Sequence, residues 1–160
     1  MLNNYSLANP VLLDAVASIK PFMSNAQMAV MGSGCRTPEK QYFIDKFTEV
    51  AERIRTMPVT YEQDGKGDDA IVYLHYFIGG CDWYITEKDM EGGVLQAFGY
   101  TVLHGDVEMA ELGYISIKEL VEAKQYAYST DRTVKVPLSA ELDLHFVPCT
   151  LGEIKKKLGK

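Results

Sequence analysis

The sequence predicts an α+β fold, an antiparallel β-meander of about four to five strands with an N-terminal helical portion and two short C-terminal helices packed around it. Two observations predict it. Residues 1–60 carry apolar side chains at helical spacing, whereas residues 68–154 carry short apolar runs separated by glycines and acidic residues. Because 160 residues is the length of one domain, we expect a single domain that ends in a basic tail, residues 155–160.

The helical portion begins with a capped helix. Asn9 followed by Pro10 favours a helix start, since Asn accepts a first-turn N–H and Pro lacks only a donor that would be unpaired there. A longer helix is predicted to be capped by Thr37, because apolar residues follow Phe43 at four, seven, eight and eleven positions. Pro58 is expected to end it.

The sheet begins with a strand at residues 71–78, whose two faces are both largely apolar and therefore typical of a central strand. Trp83 and Ile85 share one face of the next strand. Glu87 follows them on the same face, so its carboxylate is predicted to be partly buried. Two further apolar runs complete the meander.

The C-terminal part contains two capping signatures. Ser116, with a Glu three residues later, predicts a helix that continues to about Tyr128. Residues 141–147 alternate apolar and polar side chains, as a half-exposed strand does. Thr150, again with a Glu three residues later, caps a short basic helix at the C-terminus.

The charge balance is acidic. Sixteen Lys and Arg against 22 Asp and Glu give a net charge of −6. Four of the basic residues lie in the segment from Lys155 to Lys160, so the rest of the chain carries −10. An acidic body repels phosphate backbones at long range and disfavours indiscriminate nucleic-acid binding. The basic tail still leaves local nucleic-acid contact as an alternative.

Cysteine usage indicates a reducing compartment. Cys35, Cys81 and Cys149 lie far apart and are odd in number, so they cannot all pair within one chain. The first residues lack a basic segment followed by a long apolar run, and no stretch approaches the roughly 20 apolar residues that span a bilayer. We therefore expect a cytoplasmic protein without a membrane segment.

No metal site and no cofactor is predicted. The His and Cys residues that could ligate zinc lack the two-residue knuckle of zinc sites; they are His75, Cys81, His104, His145 and Cys149. A phosphate-binding loop is absent, and the segment Met31-Gly32-Ser33-Gly34-Cys35 follows no strand, as a nucleophile elbow would require.

Four residues are the candidates for catalysis: Glu87, Asp82, His75 and Cys81. A partly buried carboxylate is typical of acid/base and ligand sites, so Glu87 leads this set. The competing interpretation of His75, which lies within an apolar strand, is a hydrogen-bonded core or interface histidine. A free cysteine is most often simply buried. The sequence favours a non-enzymatic protein and leaves an enzyme open.

Aromatic residues concentrate in the predicted sheet. Bases stack on such residues in RNA-binding sheets, but those domains are normally basic and carry a motif that this chain lacks. Aromatic residues of a two-sided sheet are expected first of all in the core. The alternative is that an exposed Trp83, Tyr84 or Tyr100 acts as a contact for a protein partner. The predicted binding residues are Trp83, Tyr84, Glu87, Tyr100, Glu111 and Tyr114.

Four segments in this order resemble a known family: GGCDWYITEKD (79–89), QAFGYTVL (96–103), ELGYISIKEL (111–120) and LDLHFVPCTLGEI (142–154). The chain resembles, over about residues 57–154, the bacterial domain-of-unknown-function family 2958, which is typically carried on conjugative plasmids and integrative elements. The resemblance implies an accessory protein of mobile DNA and no catalytic residues. It directs attention to a shared surface, where Gly99 and Gly113 are expected to relieve crowding beside aromatic residues.

Three hypotheses follow for function. The first is a non-enzymatic accessory protein that binds a host or element-encoded macromolecule through its acidic, aromatic-rich sheet. The second is association with single-stranded nucleic acid through the Lys155 to Lys160 tail and exposed aromatic residues. The third is a metal-dependent or acid/base hydrolase centred on Glu87. An unpaired sheet edge would also favour a homodimer.

Overall fold

The computed structural model describes residues 9–128 and 131–160. The chain forms two compact units, one ending at Met57 and one running from Pro58 to Lys160. The fold is α+β, as predicted, and the boundary between the units lies close to the predicted end of the helical portion at residue 60. That the two units act as a single domain stays a prediction.

The N-terminal unit is helical. Its α-helices are α1 (Pro10–Ile19), α2 (Asn25–Gly34) and α3 (Lys40–Thr56). Asn9 caps α1 as predicted, because its side chain accepts hydrogen bonds from the backbone N–H groups of the first turn. The predicted cap of α3 is wrong. The hydroxyl of Thr37 donates to the carbonyl of Gly34 at 2.7 Å, so the helix begins only at Lys40.

The C-terminal unit contains a five-stranded antiparallel sheet. Its meander consists of β2 (Leu74–Ile78), β3 (Cys81–Glu87), β4 (Ala97–Val102) and β5 (Glu111–Ile115). The strand order is β5-β4-β3-β2-β8, where β8 is Glu141–Leu142, so the predicted meander is confirmed. Two strand pairs flank it: β1 (Ile71–Val72) with β9 (Cys149–Thr150), and β6 (Gln125–Tyr128) with β7 (Lys135–Leu138).

One face of the sheet packs against the C-terminal helix α5, Leu151–Lys157. Residues that lie directly opposite in an antiparallel pair share a face. Tyr84 lies opposite Tyr100, and Asp82 lies opposite Val102. The tyrosines and Val102 form a buried cluster with residues of α5; its members are Val72, Tyr84, Tyr100, Val102, Leu151 and Ile154. We call this side of the sheet the α5 face.

A β-bulge interrupts β3 at its end. Ile85 lies opposite Gly99, but the next pair is Glu87 with Phe98, so Thr86 is the extra residue. As a result, three consecutive residues of β3 from Ile85 onward are buried, where a regular strand would alternate between faces.

The bulge moves Glu87 to the α5 face. Phe98 lies two residues from Tyr100 on β4 and therefore shares its face, and Glu87 is the partner of Phe98. The predicted placement of Glu87 on the face of Trp83 and Ile85 is wrong, because the extra residue reverses the alternation after Ile85. Its predicted burial is confirmed, since only 3% of Glu87 is exposed.

Gly99 is required beside the bulge. A Cβ at this position would collide with the backbone carbonyl of Tyr84, so β3 and β4 approach here more closely than any side chain allows. Gly113 lies directly opposite Gly99 on β5, yet a Cβ there would meet no atom within 4 Å. The expectation of crowding is therefore right for Gly99, where the neighbour is backbone, and wrong for Gly113.

Two C-terminal predictions need correction. The helix after Ser116 is α4, Ile117–Glu122, and it does not continue to Tyr128 because the chain enters β6, whose pairing with β7 overrides local helical preference. The strand predicted at residues 141–147 pairs only over β8. The side chain of Asp143 ends it by accepting the backbone N–H of His145 at 2.9 Å.

The remaining C-terminal prediction is confirmed. The hydroxyl of Thr150 accepts the N–H of Glu153, and the Glu153 carboxylate accepts the N–H of Thr150, which completes the capping box of α5. The hydrogen bond from the Thr150 backbone lowers the pKa of Glu153. Within the part of the chain that the structure describes, no helix has the length and apolar character needed to span a membrane.

Candidate functional site

The four catalytic candidates lie in three separate places. His75 and Asp82 contact each other, Cys81 contacts His104, and Glu87 lines a cavity beside the bulge. The structure therefore does not bring Glu87 together with the other three.

His75 is held between two carboxylates. Its Nε2 lies 2.7 Å from Asp82 and its Nδ1 lies 3.0 Å from Asp143, and the imidazole stacks on Tyr84 at 4.6 Å between ring centroids. Burial raises the pKa of Tyr84 to about 12, and the negative charges of Asp82 and Asp143 add to that rise. We call His75, Asp82 and Asp143 the His75 cluster.

The His75 cluster is saturated. Each ring nitrogen lies within hydrogen-bond distance of a carboxylate, so neither nitrogen is left free for a substrate. The interpretation of His75 as a hydrogen-bonded histidine is confirmed, and the cluster joins β2, β3 and the turn at Asp143.

Cys81 has an imidazole within reach. Its Sγ lies 3.8 Å from Nδ1 of His104 and also accepts the His104 backbone N–H at 3.4 Å. A nucleophilic pair needs a third group that orients the base. Among the described residues, the His104 ring has no hydrogen-bond partner other than Cys81. The arrangement is a buried thiol beside an exposed, unoriented histidine.

The third place is a cavity of about 390 Å³ on the α5 face, which we call the Glu87 cavity. This volume lies at the small end of the range of ligand pockets, about 300–1,000 Å³. Its walls combine apolar and aromatic side chains with two carboxylates; they include Tyr61, Gln63, Asp64, Thr86, Glu87, Phe98, Leu112 and Leu151.

The carboxylate of Glu87 is buried and only partly hydrogen-bonded. Oε1 accepts the backbone N–H of Gln63 at 3.1 Å. Oε2 lies 3.3 Å from the hydroxyl of Thr86, whose single hydrogen also points to the Phe98 carbonyl at 3.1 Å. A carboxylate can accept about four hydrogen bonds. No cationic side chain in residues 9–128 or 131–160 forms an ion pair with Glu87.

Gln63 fixes the bulge beside Glu87. Its amide nitrogen donates to the carbonyls of Ile71 and Thr86, both at 2.8 Å, and its amide oxygen accepts the Ile71 N–H at 2.7 Å. These bonds satisfy the carbonyl of the extra residue Thr86, which the bulge removes from regular pairing. Gln63 was missed at the level of sequence, because a glutamine in a polar loop carries no signal of such a role.

Tyr61, which lines the cavity, pairs with Tyr114 on β5. The hydroxyls of Tyr61 and Tyr114 are 2.6 Å apart, although these side chains are 59% and 54% exposed. Phe98 meets Tyr114 edge to face at 5.8 Å between ring centroids. Tyr61 also has a positive φ of 81°, a conformation that non-glycine residues adopt at a cost and that clusters at functional sites.

The cavity is negatively charged. The pKa of Tyr114 is raised, and the largest cause is its hydrogen bond with Tyr61. Burial and the charge of Tyr61 contribute next, and the negative charges of Asp64 and Glu87 raise this pKa further. Asp64 and Glu87 both line the cavity, and none of its described lining residues is Lys, Arg or His. The cavity therefore favours a positively charged group.

The predicted binding residues divide into exposed and buried ones. Tyr114 and Glu111 are exposed on β5, and Trp83 is half-buried. Tyr84 and Tyr100 are only 8% and 2% exposed, so their expected place in the core is confirmed and the alternative, that they form a contact surface, is wrong. They are buried because α5 covers them.

The basic C-terminal segment is partly occupied by contacts within the chain. Lys155 belongs to α5 and forms an ion pair with Asp68 at 2.7 Å, and its ammonium lies 5.6 Å from the ring centroid of Tyr100. The ammonium of Lys160 donates to the carbonyl of Val107 at 2.6 Å. Two of the four lysines are thus turned toward the protein.

The described residues contain no group of three or more His, Cys, Asp or Glu arranged to hold a metal ion. The donor set of the Glu87 cavity likewise differs from that of a metal site, because most of its walls are carbon. Comparison with protein-family models, with curated proteins and with solved structures gave no match.

Proposed function

We propose that this chain is a non-enzymatic binding protein that recognises a macromolecular partner through the Glu87 cavity. The observation that supports the proposal is a carboxylate that is 3% exposed, lines an open cavity and forms no ion pair with any described residue. Burying an unpaired carboxylate is costly. A partner that inserts a complementary group would offset that cost at the moment of binding.

Binding is better supported than catalysis at this cavity. Acid/base chemistry on a substrate needs a second positioned group, and the other catalytic candidates lie elsewhere, with His75 and Asp82 bound to each other. The nucleic-acid alternative is weakened in turn, since Lys155 and Lys160 contact the protein itself. We further propose that the partner belongs to a bacterial host or to the mobile element that carries this chain.

The test is capture of partners by the tagged chain from bacterial lysate after nuclease treatment, compared among matched variants. Glu87→Gln keeps the size of the side chain and removes its charge. Leu112→Trp narrows the cavity from a position that is 44% exposed, so it leaves the core intact. Glu108→Gln is the control, because it removes an exposed carboxylate away from the cavity.

We expect the same proteins to be retained by the wild type and by Glu108→Gln, and to be lost from Glu87→Gln and Leu112→Trp. Equal retention by all four chains would contradict a role of the cavity. Recovery of nuclease-sensitive material alone would contradict a protein partner and favour the nucleic-acid hypothesis.

A further inference from the structure

The geometry points to a guanidinium group, the head of an arginine side chain on a partner protein, as the occupant of the Glu87 cavity. This inference rests on the proposed function and specifies what the cavity binds. It follows from three properties of the cavity: its charge, the nature of its walls and the residues at its solvent side.

The charge requires a cation. Asp64 and Glu87 line the cavity without a basic neighbour among its described lining residues. Glu87 retains acceptor capacity, since its Oε2 shares one hydroxyl hydrogen with the Phe98 carbonyl. A ligand that donates hydrogen bonds and carries positive charge supplies both the hydrogen-bond donor and the compensating charge that Glu87 lacks. Hydrogen bonds between charged groups are stronger than those between neutral groups.

The walls select a cation with an apolar stem. Phe98, Leu112 and Leu151 present carbon to the cavity, and a metal ion or a strongly hydrated group would have to give up water there for fewer oxygen ligands than it needs. An arginine side chain combines a three-carbon stem, which such walls bury favourably, with a charged head that meets the carboxylate.

A guanidinium suits the site better than an ammonium. It is planar, stacks on aromatic rings and is more weakly hydrated than an ammonium, so its transfer into a largely apolar cavity is less costly. The aromatic rings of Tyr61 and Phe98 line the cavity beside Glu87. Two parallel N–H bonds to one carboxylate add geometric selectivity that an ammonium cannot reproduce.

The solvent side of the cavity indicates that the guanidinium belongs to a protein chain. Tyr61 and Leu112 line the cavity and yet are 59% and 44% exposed, and Tyr114, which bonds Tyr61, is 54% exposed. The residues that flank an arginine in a protein segment would contact these side chains, whereas a free guanidinium compound would leave them uncovered.

The test is a titration followed by amide chemical shifts, with N-acetyl-L-arginine N-methylamide as the probe. The corresponding citrulline derivative is the neutral isostere, and the lysine derivative tests ammonium against guanidinium. Free L-arginine and agmatine test a small-molecule source. The proteins are the wild type, Glu87→Gln, Leu112→Trp and the control Glu108→Gln.

We expect the arginine derivative to bind at least about tenfold more tightly than the citrulline and lysine derivatives, which corresponds to about 1.4 kcal/mol. Glu87→Gln and Leu112→Trp should each weaken it by a similar factor, and Glu108→Gln should bind it as the wild type does. Agreement of the two cavity variants guards against a folding defect in one of them.

The inference would be overturned if the citrulline derivative bound as tightly as the arginine derivative, or if Glu87→Gln bound the arginine derivative as tightly as the wild type does. Tighter binding of free arginine or agmatine would overturn the assignment to a partner side chain. If none of these probes binds while capture of a partner still depends on Glu87, the inference falls and the proposed function stands. If that capture is also independent of Glu87, both fall.

Discussion

The His75 cluster and the Glu87 cavity lie on the same face of the same sheet, and both contain buried or half-buried carboxylates. In the His75 cluster, Asp82 and Asp143 each bond a nitrogen of one imidazole, so both carboxylates have a side-chain partner within the fold. Among the described residues, Glu87 has no basic side chain as a partner. The comparison separates acidic residues that maintain the structure from one that the structure leaves available to a ligand.

The two regions also differ in how they are built. His75 lies on a regular strand, with Tyr84 directly opposite on β3. Glu87 depends on a bulge, on the close approach at Gly99 and on the bonds of Gln63. Bulges of this kind re-aim side chains and occur next to functional sites.

The largest expected effect is at Gly99. Gly99→Ala should lower the free energy of unfolding by about 2–4 kcal/mol, because a Cβ would collide with the Tyr84 carbonyl and force β3 and β4 apart. Urea denaturation measures it. The matched control is Gly113→Ala, directly opposite on β5, where open space predicts a change within about 0.5 kcal/mol. Equal effects of the two substitutions would contradict the close approach at the bulge.

An intermediate effect is expected in the His75 cluster. In a double-mutant cycle of His75→Phe and Asp143→Asn, we expect a coupling energy of about 1–2 kcal/mol, since each substitution alone breaks the same hydrogen bond. Phe keeps an aromatic ring against Tyr84. A second cycle, His75→Phe with Glu141→Gln, is the control, because Glu141 is exposed on the neighbouring strand. Additivity in the first cycle would show that the cluster is not a unit.

The smallest expected effect is on tyrosine ionisation. Glu87→Gln should lower the pKa of Tyr114, because the Glu87 charge helps to raise it, and should leave the pKa of Tyr84 unchanged. Asp82→Asn should lower the pKa of Tyr84 and leave that of Tyr114 unchanged. Titration of ring carbons by NMR distinguishes the two tyrosines. A Tyr114 pKa that is the same in the wild type and in Glu87→Gln would contradict the electrostatic interaction between these two side chains.

Much of the fold could be predicted from the sequence. Alternation of apolar residues predicts the strands of the meander, and the capping box at Thr150 predicts α5, because both signals are local. The predicted extension of α4 to Tyr128 is wrong because the pairing of β6 with β7 competes there with the helical preference of the segment. The contact surface predicted at Tyr84 and Tyr100 is wrong for a related reason. The alternation of side chains along a strand shows which residues share a face, but it does not show which face another element will cover.

The candidate site could be predicted only in part. The burial of Glu87 was predicted from a shared face with Trp83 and Ile85, but the structure buries it on the opposite face, because one extra residue in the bulge reverses the alternation. One of the two partners of His75 is Asp143, 68 positions away, and the residue that supports the bulge is a loop glutamine. Such contacts depend on tertiary register, which no local pattern in the chain encodes.

The most direct test of the contrast is the free energy of unfolding of Glu87→Gln at neutral pH without ligand, measured beside Asp143→Asn. Glutamine still accepts the Gln63 N–H, and its amide donates to the Thr86 hydroxyl, while the buried unpaired charge is removed. We expect Glu87→Gln to gain about 1 kcal/mol and Asp143→Asn to lose about 1.5 kcal/mol or more. If Glu87→Gln lowers the free energy of unfolding as much as Asp143→Asn does, both carboxylates stabilise the fold, and the claim that the structure leaves Glu87 available to a ligand is contradicted.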